Sequence, residues 1–315
     1  MVSVAVPSTI NFVETRDELI EDALRLAGVL DIERTPSASV SASADRTLDS
    51  YLKHLMSRGL QLWRATEGVL FLNQDDESYD VGSDGDEACR VSDLVATALN
   101  GAAASSATSL TVDSTSGMAV SDRIGVELTA GTRYWTTIAT IPTSTTLTLT
   151  AGLSGAASDD ATVYTYTTKI ERPVRILSMR RRDSDGIEVP VTLIGREEYF
   201  EQSNKASDGK IVMAHYSPQL ENGILYVWPT ADDVTDQIRF TFERVIEDVD
   251  SGTDEFDFPV EWLEALKYGL ALRLAHKYGK LDRIQYLKPE AEQKERELLN
   301  FDVEGTSVFI SPDYR

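Results

Sequence analysis

Between Val95 and Thr168 the chain changes character. These residues include 18 threonines and 13 alanines but only seven charged groups. SLTVDS, RIGVEL, YWTTIATI, TTLTLT and ATVYTYT alternate with period two, and clusters of Gly, Ser, Asp and Pro separate them. A period of two puts alternate side chains on one face of a strand, and β-branched threonine suits a pleated, half-exposed surface. The stretch predicts a small all-β module, Ig-like or barrel, of five or six strands. Helical sequence lies before it, and strand and helix patterns lie after it. Neither flank is complete alone, so the module reads as an insertion over residues 91–168 of a host domain.

The acidity belongs to that host. The 315 residues include 52 acids and 30 bases, a net charge of −22, of which the Val95–Thr168 stretch supplies five acids and two bases. A duplex binder shows a basic footprint; an acidic surface repels nucleic acid and keeps a chain soluble. Hydrophobic content of 42% supports real cores, and the length suits two domains. No apolar run approaches the roughly 18 residues of a membrane-spanning helix. The start, MVSVAVPSTINFVETRDEL, lacks the basic and apolar segments of a signal peptide. Cys89 stands alone, which removes a disulfide framework and fits a reducing cytoplasm.

The host flanks read as follows. Residues 14–30 predict a helix with a Thr15–Glu18 capping box, a face of Leu19, Ala23, Leu26 and Ala27, and a stop at Gly28. PSASVSASA, residues 36–44, reads as a polar linker. Leu48, Leu52, Leu55, Met56, Gly59, Leu60 and Trp63 place a second helix at about 45–65. NQDDESYDVGSDGDEACR, residues 73–90, is an acidic loop. Counted from Asp80, a calcium loop would find Gly82 at its third position and Val91 at its twelfth, so the ligand pattern fails. RILSMRRRDSDGIEVPVTLI predicts a hairpin turning on two positive-φ positions, Asp185 and Gly186. A short helix or turn at GREEYFEQSNK and three strands, KIVMAHYSP, NGILYVWPT and QIRFTFERVIED, follow. In FDFPVEWLEALKYGLALRLAHKYGK, Asp257 and Pro259 suit a helix start. Trp262, Leu263, Leu266, Leu270 and Leu274 form one apolar stripe there, and Ala265, Tyr268, Gly269, Leu272 and Ala275 a second. A surface helix needs one stripe, so this one predicts cover on two sides. The helix from about 281 is expected to break at Pro289.

This order of parts resembles the head-to-tail connector proteins of tailed bacteriophages, also called tail adaptors or tail accessory factors and best known from short-tailed phages. NGILYVWP at residues 222–229 and FPVEWLEAL at 258–266 carry most of the likeness, and the threonine-rich insert is similar to β modules of phage structural proteins. The resemblance implies an α+β host, residues 1–90 and 169–302. Its helix bundle would span 14–65 and 257–302, and a β-sandwich or barrel part 170–248. A C-terminal arm would follow at 303–315. It further implies a virion structural protein made in the host cytoplasm, with no cofactor and no membrane. Twelve copies would form a ring at the portal–tail junction, binding the portal protein and a tail nozzle or tube protein, while DNA passes through the lumen without sequence-specific binding.

Two surfaces follow as site expectations. The arm, with Phe301, Val308, Phe309, Ile310 and Tyr314, is expected to meet the portal. Three consecutive apolar residues near a chain end call for a cover, and strand addition or groove insertion supplies one. The helix residues Trp262, Leu266, Gly269, Leu270 and Leu274 are expected to pack subunits together. His54, His215 and His276 sit in no triad or zinc motif, and no phosphate loop or dinucleotide fingerprint occurs. The alternatives are a peptidoglycan-degrading virion hydrolase using paired carboxylates and a tail-fibre-like adhesion module. Arg180, Arg181 and Arg182 are read as a solvated hairpin or as partners of the many acids.

Overall fold

A computed structural model describes residues 14–31, 33–56, 64–245 and 260–301, with the side chains of Met56, Val260 and residues 298–301 left out. The fold is α+β. It divides into a helical unit drawn from both ends of the chain and a β unit over residues 64–245. The helices are α1 (Arg16–Leu26), α2 (Ala38–Met56), α3 (Arg196–Phe200), α4 (Val260–Lys277) and α5 (Leu281–Phe301). All but α3 share the apolar core of the helical unit.

Helix α1 opens on the expected capping box. Thr15 N–H donates to Glu18 Oε2 at 2.9 Å, and Glu18 N–H donates to Thr15 Oγ1 at 3.4 Å. Leu19, Ile20, Ala23 and Leu24 point into the core. Arg16 reaches α2, donating to Asp45 at 2.9 Å and Asp49 at 2.8 Å. The expected linker at 36–44 is corrected: α2 already starts at Ala38. Alanine is the best helix former, and the backbone N–H of Ser41 donates to Ser37 at 3.0 Å. Ala44 is fully buried, so packing holds a segment whose composition reads as loop.

Helix α4 is the centre of this unit, touching α1, α2 and α5. Its first stripe is buried, with Leu266, Leu270 and Leu274 at 0% exposure, whereas in the second Ala265, Gly269 and Ala275 are buried and Tyr268 and Leu272 are partly exposed. Helix α5 is continuous, contrary to the break expected at Pro289. Proline removes one N–H and crowds the preceding turn. Buried Leu287 and Ala291 anchor the helix on either side of the exposed ring.

The β unit starts with β1 (Ala65–Phe71), β2 (Ser78–Val81) and β3 (Ala88–Arg90). Six strands follow within the threonine-rich stretch: β4 (Val95–Ala98), β5 (Ser109–Thr111), β6 (Arg123–Glu127), β7 (Arg133–Thr140), β8 (Thr146–Leu149) and β9 (Thr162–Tyr166). Then come β10 (Arg175–Arg182), β11 (Glu188–Leu193), β12 (Asp208–Gly209), β13 (Met213–Ser217), β14 (Gly223–Trp228), β15 (Thr230–Ala231) and β16 (Gln237–Glu243). Eight of the sixteen form a half-barrel sheet in the order β2-β14-β13-β11-β10-β16-β1-β3, antiparallel except at β11–β13. Its core is built on Leu70, Tyr79, Leu225, Val227, Phe240 and Phe242. The β10–β11 turn departs from the two-position expectation. Only Gly186 has positive φ, at 83°, and Asp183 and Ile187 are joined by hydrogen bonds at both backbone and side chain.

The threonine-rich strands make their own sheet, β4-β9-β6-β7-β8-β5. A bridge between Leu99 and Val112 links its two outer strands, giving a nearly closed barrel. Leu110, Ile124, Val126, Leu147 and Val163 fill it. Outward threonines pair across strands, as Thr140 with Thr148 at 2.7 Å. Gly125 faces Trp135 across β6–β7, and a Cβ there would lie 2.7 Å from the indole. That glycine lets the ring lie flat on the sheet.

Candidate functional site

The residues expected to pack subunits lie in the core of the helical unit. Trp262 is 4% exposed, Leu266, Leu270 and Leu274 are 0%, and Gly269 abuts the phenol of Tyr51. These five residues are buried within one copy of the chain. Of the residues assigned to the portal contact, the side chain of Phe301 and all of Val308, Phe309, Ile310 and Tyr314 lie outside the described residues. His54 and His276 are exposed on their helices, and His215 Nδ1 sits 3.2 Å from the carbonyl of Ile194. Among the described residues no three His, Cys, Asp or Glu side chains group as metal ligands. No described helix is long and apolar enough to cross a membrane.

The most elaborate polar constellation joins the threonine-rich barrel to the half-barrel. Glu87 sits just before β3. It accepts from Arg123 Nε at 2.7 Å, makes a second contact to the same guanidinium, accepts from the Tyr166 hydroxyl, and lies 3.4 Å from Lys169 Nζ. Burial, and then the bond to Glu87, push the Tyr166 phenol well above its ordinary range; the guanidinium's own bond to Glu87 leads in raising Arg123. Beside this hub Phe71 meets Trp135 at 4.9 Å and Tyr164 at 5.1 Å between ring centroids. Val69, Cys89 and Tyr166 complete the cluster. The barrel is thus seated on the outer face of β1 and β3.

Sequence reasoning missed this joint, although one signal was present. The barrel stretch has only two basic residues, Arg123 and Arg133, and both lie in it. Arg133 is 8% exposed, stacked over Tyr164 at 5.0 Å and Phe71 at 5.5 Å, with no hydrogen-bond partner at any guanidinium nitrogen. Burial lowers its affinity for the proton. A cation–π contact gains about 2 kcal/mol when desolvated, while desolvating a charge costs several. Arg133→Met is therefore expected to leave stability unchanged or raise it by up to about 1 kcal/mol in urea unfolding. A clear loss would show that the ring contacts outweigh desolvation.

The β unit also carries two charged surfaces. On the outer face of the half-barrel, Arg180 of β10 stands opposite Arg239 of β16, and Arg182 follows two residues along. Arg180 engages both nearby acids, Glu67 at 2.6 Å and Glu188 at 2.5 Å. Arg181 points the other way, to Asp236 at 3.4 Å. At the sheet's far edge, β2 pairs only with β14, and the turns around it carry exposed Asp75, Asp76, Glu77, Asp80 and Asp84.

Next to these, Asp86 accepts from the Asp80 N–H at 2.7 Å and is half-buried. Burial, then the Asp80 and Asp76 charges, outweigh that bond and hold its carboxyl above the usual range. A raised carboxyl pKa means the folded chain holds this proton more tightly than the unfolded one. The group therefore favours folding at low pH and loses that contribution as pH rises through the raised value. Asp86→Asn should melt higher than wild type at pH 7, by about 1–3 °C, with the gap closing towards pH 4. A gap independent of pH would rule out this origin.

A family model described as SU10 adaptor protein matches residues 90–300. No curated protein matches the chain.

Proposed function

Because the chain belongs to the SU10 adaptor protein family, we propose that it assembles as a ring joining the portal vertex of a phage head to the tail. Membership makes it a phage structural adaptor and a virion component. The ring, twelve copies in our reading, would extend the DNA channel and present a surface to a tail nozzle or tube protein.

The observation that carries the reading is the span of the match. It runs from residue 90 to residue 300, which takes in the threonine-rich barrel, β10 to β16, α4 and all but the last residue of α5. The charge agrees: a net −22 makes a channel wall past which DNA slides with little retention. The arm at 303–315, with Val308, Phe309 and Ile310, is our assigned portal contact. The helical core is already filled by its own residues, so an arm serving assembly is dispensable for it. A chain truncated after Asn300 is expected to keep its melting temperature within about 2 °C and to lose portal binding by at least about tenfold. Electron microscopy of the protein, alone and mixed with portal, tests the ring directly. Images showing single copies bound at random around the portal would refute it.

A further inference from the structure

In a chain where acids outnumber bases 52 to 30, an arginine with no carboxylate partner stands out. Among the described residues Arg182 and Arg239 are two such, since Arg180 holds the two acids nearby, Glu67 and Glu188. Arg239 faces Arg180 directly across two strands. Like charges at opposed positions destabilise a sheet unless an anion lies between or over them. The Arg239 Nε is buried without a hydrogen-bond partner, and burial followed by Arg182 lowers the proton affinity of its guanidinium. This face is short of negative charge.

The β2 edge has the opposite deficit. From Asn73 to Glu87 there are seven acids and no base. Glu87 is engaged in the joint and Asp86 by the Asp80 amide. Asp75, Asp76, Glu77, Asp80 and Asp84 are exposed and, among the described residues, form no ion pair with Lys or Arg. β2 and β10–β16 occupy separate places in the eight-strand order, so the two surfaces are distinct patches of one molecule.

We propose that the arginine face of β10 and β16 receives the acidic β2 edge of a second copy of this chain. Contact between unlike patches is heterologous: each copy offers one patch to each neighbour, and such a contact closes into a ring when its rotation permits. The inference deepens the ring reading and rests on it. Discrete carboxylates suit the face better than a phosphate chain does. Glu67 and Glu188 lie between and beside the arginines, so the face offers separate cationic positions rather than the continuous basic strip that a phosphate backbone needs.

The test uses full-length protein and two charge reversals, Arg182→Glu with Arg239→Glu, and Asp76→Lys with Asp84→Lys. Self-association is measured by sedimentation of the free protein and by the number of copies bound per portal. Each reversal alone is expected to weaken association by about tenfold or more, and combining both in one chain should restore it. Restoration with both reversals excludes misfolding as the cause of the single losses. Wild-type rings that survive either reversal, or native-like spectra without restoration, would overturn the interface while leaving the ring standing. A wild-type chain that never associates, alone or on portal, would remove the ring and this interface together. If the arginine reversal abolishes a gel shift of short duplex DNA and leaves association intact, the face holds phosphate and the proposal is wrong.

Discussion

Glu87→Ala is expected to destabilise the β unit by about 3 kcal/mol in urea unfolding followed by tryptophan fluorescence. The carboxylate is 15% exposed and serves Arg123, Lys169 and the Tyr166 hydroxyl at once. Alanine leaves two cations and a buried phenol without their common acceptor. Removing one member of a buried pair costs about 3–5 kcal/mol, and the partial exposure of Arg123, 32%, argues for the lower end. Glu87→Gln keeps an acceptor but not the charge, and should lose less. Replacing Glu87 and Arg123 together by methionine should recover much of the loss, because matched apolar groups avoid desolvated charge altogether. A Glu87→Ala loss below about 0.5 kcal/mol would show that the aromatic contacts alone hold the barrel in place.

Gly269→Val should be at least comparable, with a cost of about 3 kcal/mol to the helical unit. A Cβ at this position falls on the phenol of Tyr51. That ring has little freedom to yield, being 2% exposed and lying beneath the Arg273 guanidinium at 3.9 Å. Valine adds two further methyl groups with restricted χ1 in a helix. Gly269→Ala separates the contributions. Alanine gains up to about 1 kcal/mol of helix propensity, so a net loss isolates the collision with Tyr51. An alanine variant more stable than wild type by thermal melting would mean that α2 and α4 are not held at closest approach.

Local patterns were legible where the element buries its own periodic residues. Leu19 and Ala23 of α1, Leu48, Leu52 and Leu55 of α2, and the alternating strands of the barrel all read correctly because spacing along the chain maps onto one face. The 36–44 segment misled because serine and alanine look alike in loops and in helix starts, and only the burial of Ala44 decides between them. Pro289 misled because a local rule forecasts a break that the anchors at Leu287 and Ala291 override. The two stripes of α4 were seen, but the helices that pack on it, α1, α2 and α5, come from both ends of the chain, and Tyr268 and Leu272 of the second stripe are only partly buried. The barrel joint escaped for the same reason: Glu87 meets Arg123 36 residues later and Tyr166 79 residues later. Nothing in the local sequence of any one of them names the others.

The seam where the barrel leaves the host has a practical side. Val95 lies opposite Thr165 on adjacent strands, and Ile170 N–H donates to the Ala88 carbonyl at 3.0 Å, so the chain enters and leaves the barrel at neighbouring points. A different module spliced between those two strands is expected to leave the half-barrel unstretched. The graft has one condition. Its underside must bring grease of its own to blanket Val69 and Phe71, or the recipient will go sticky.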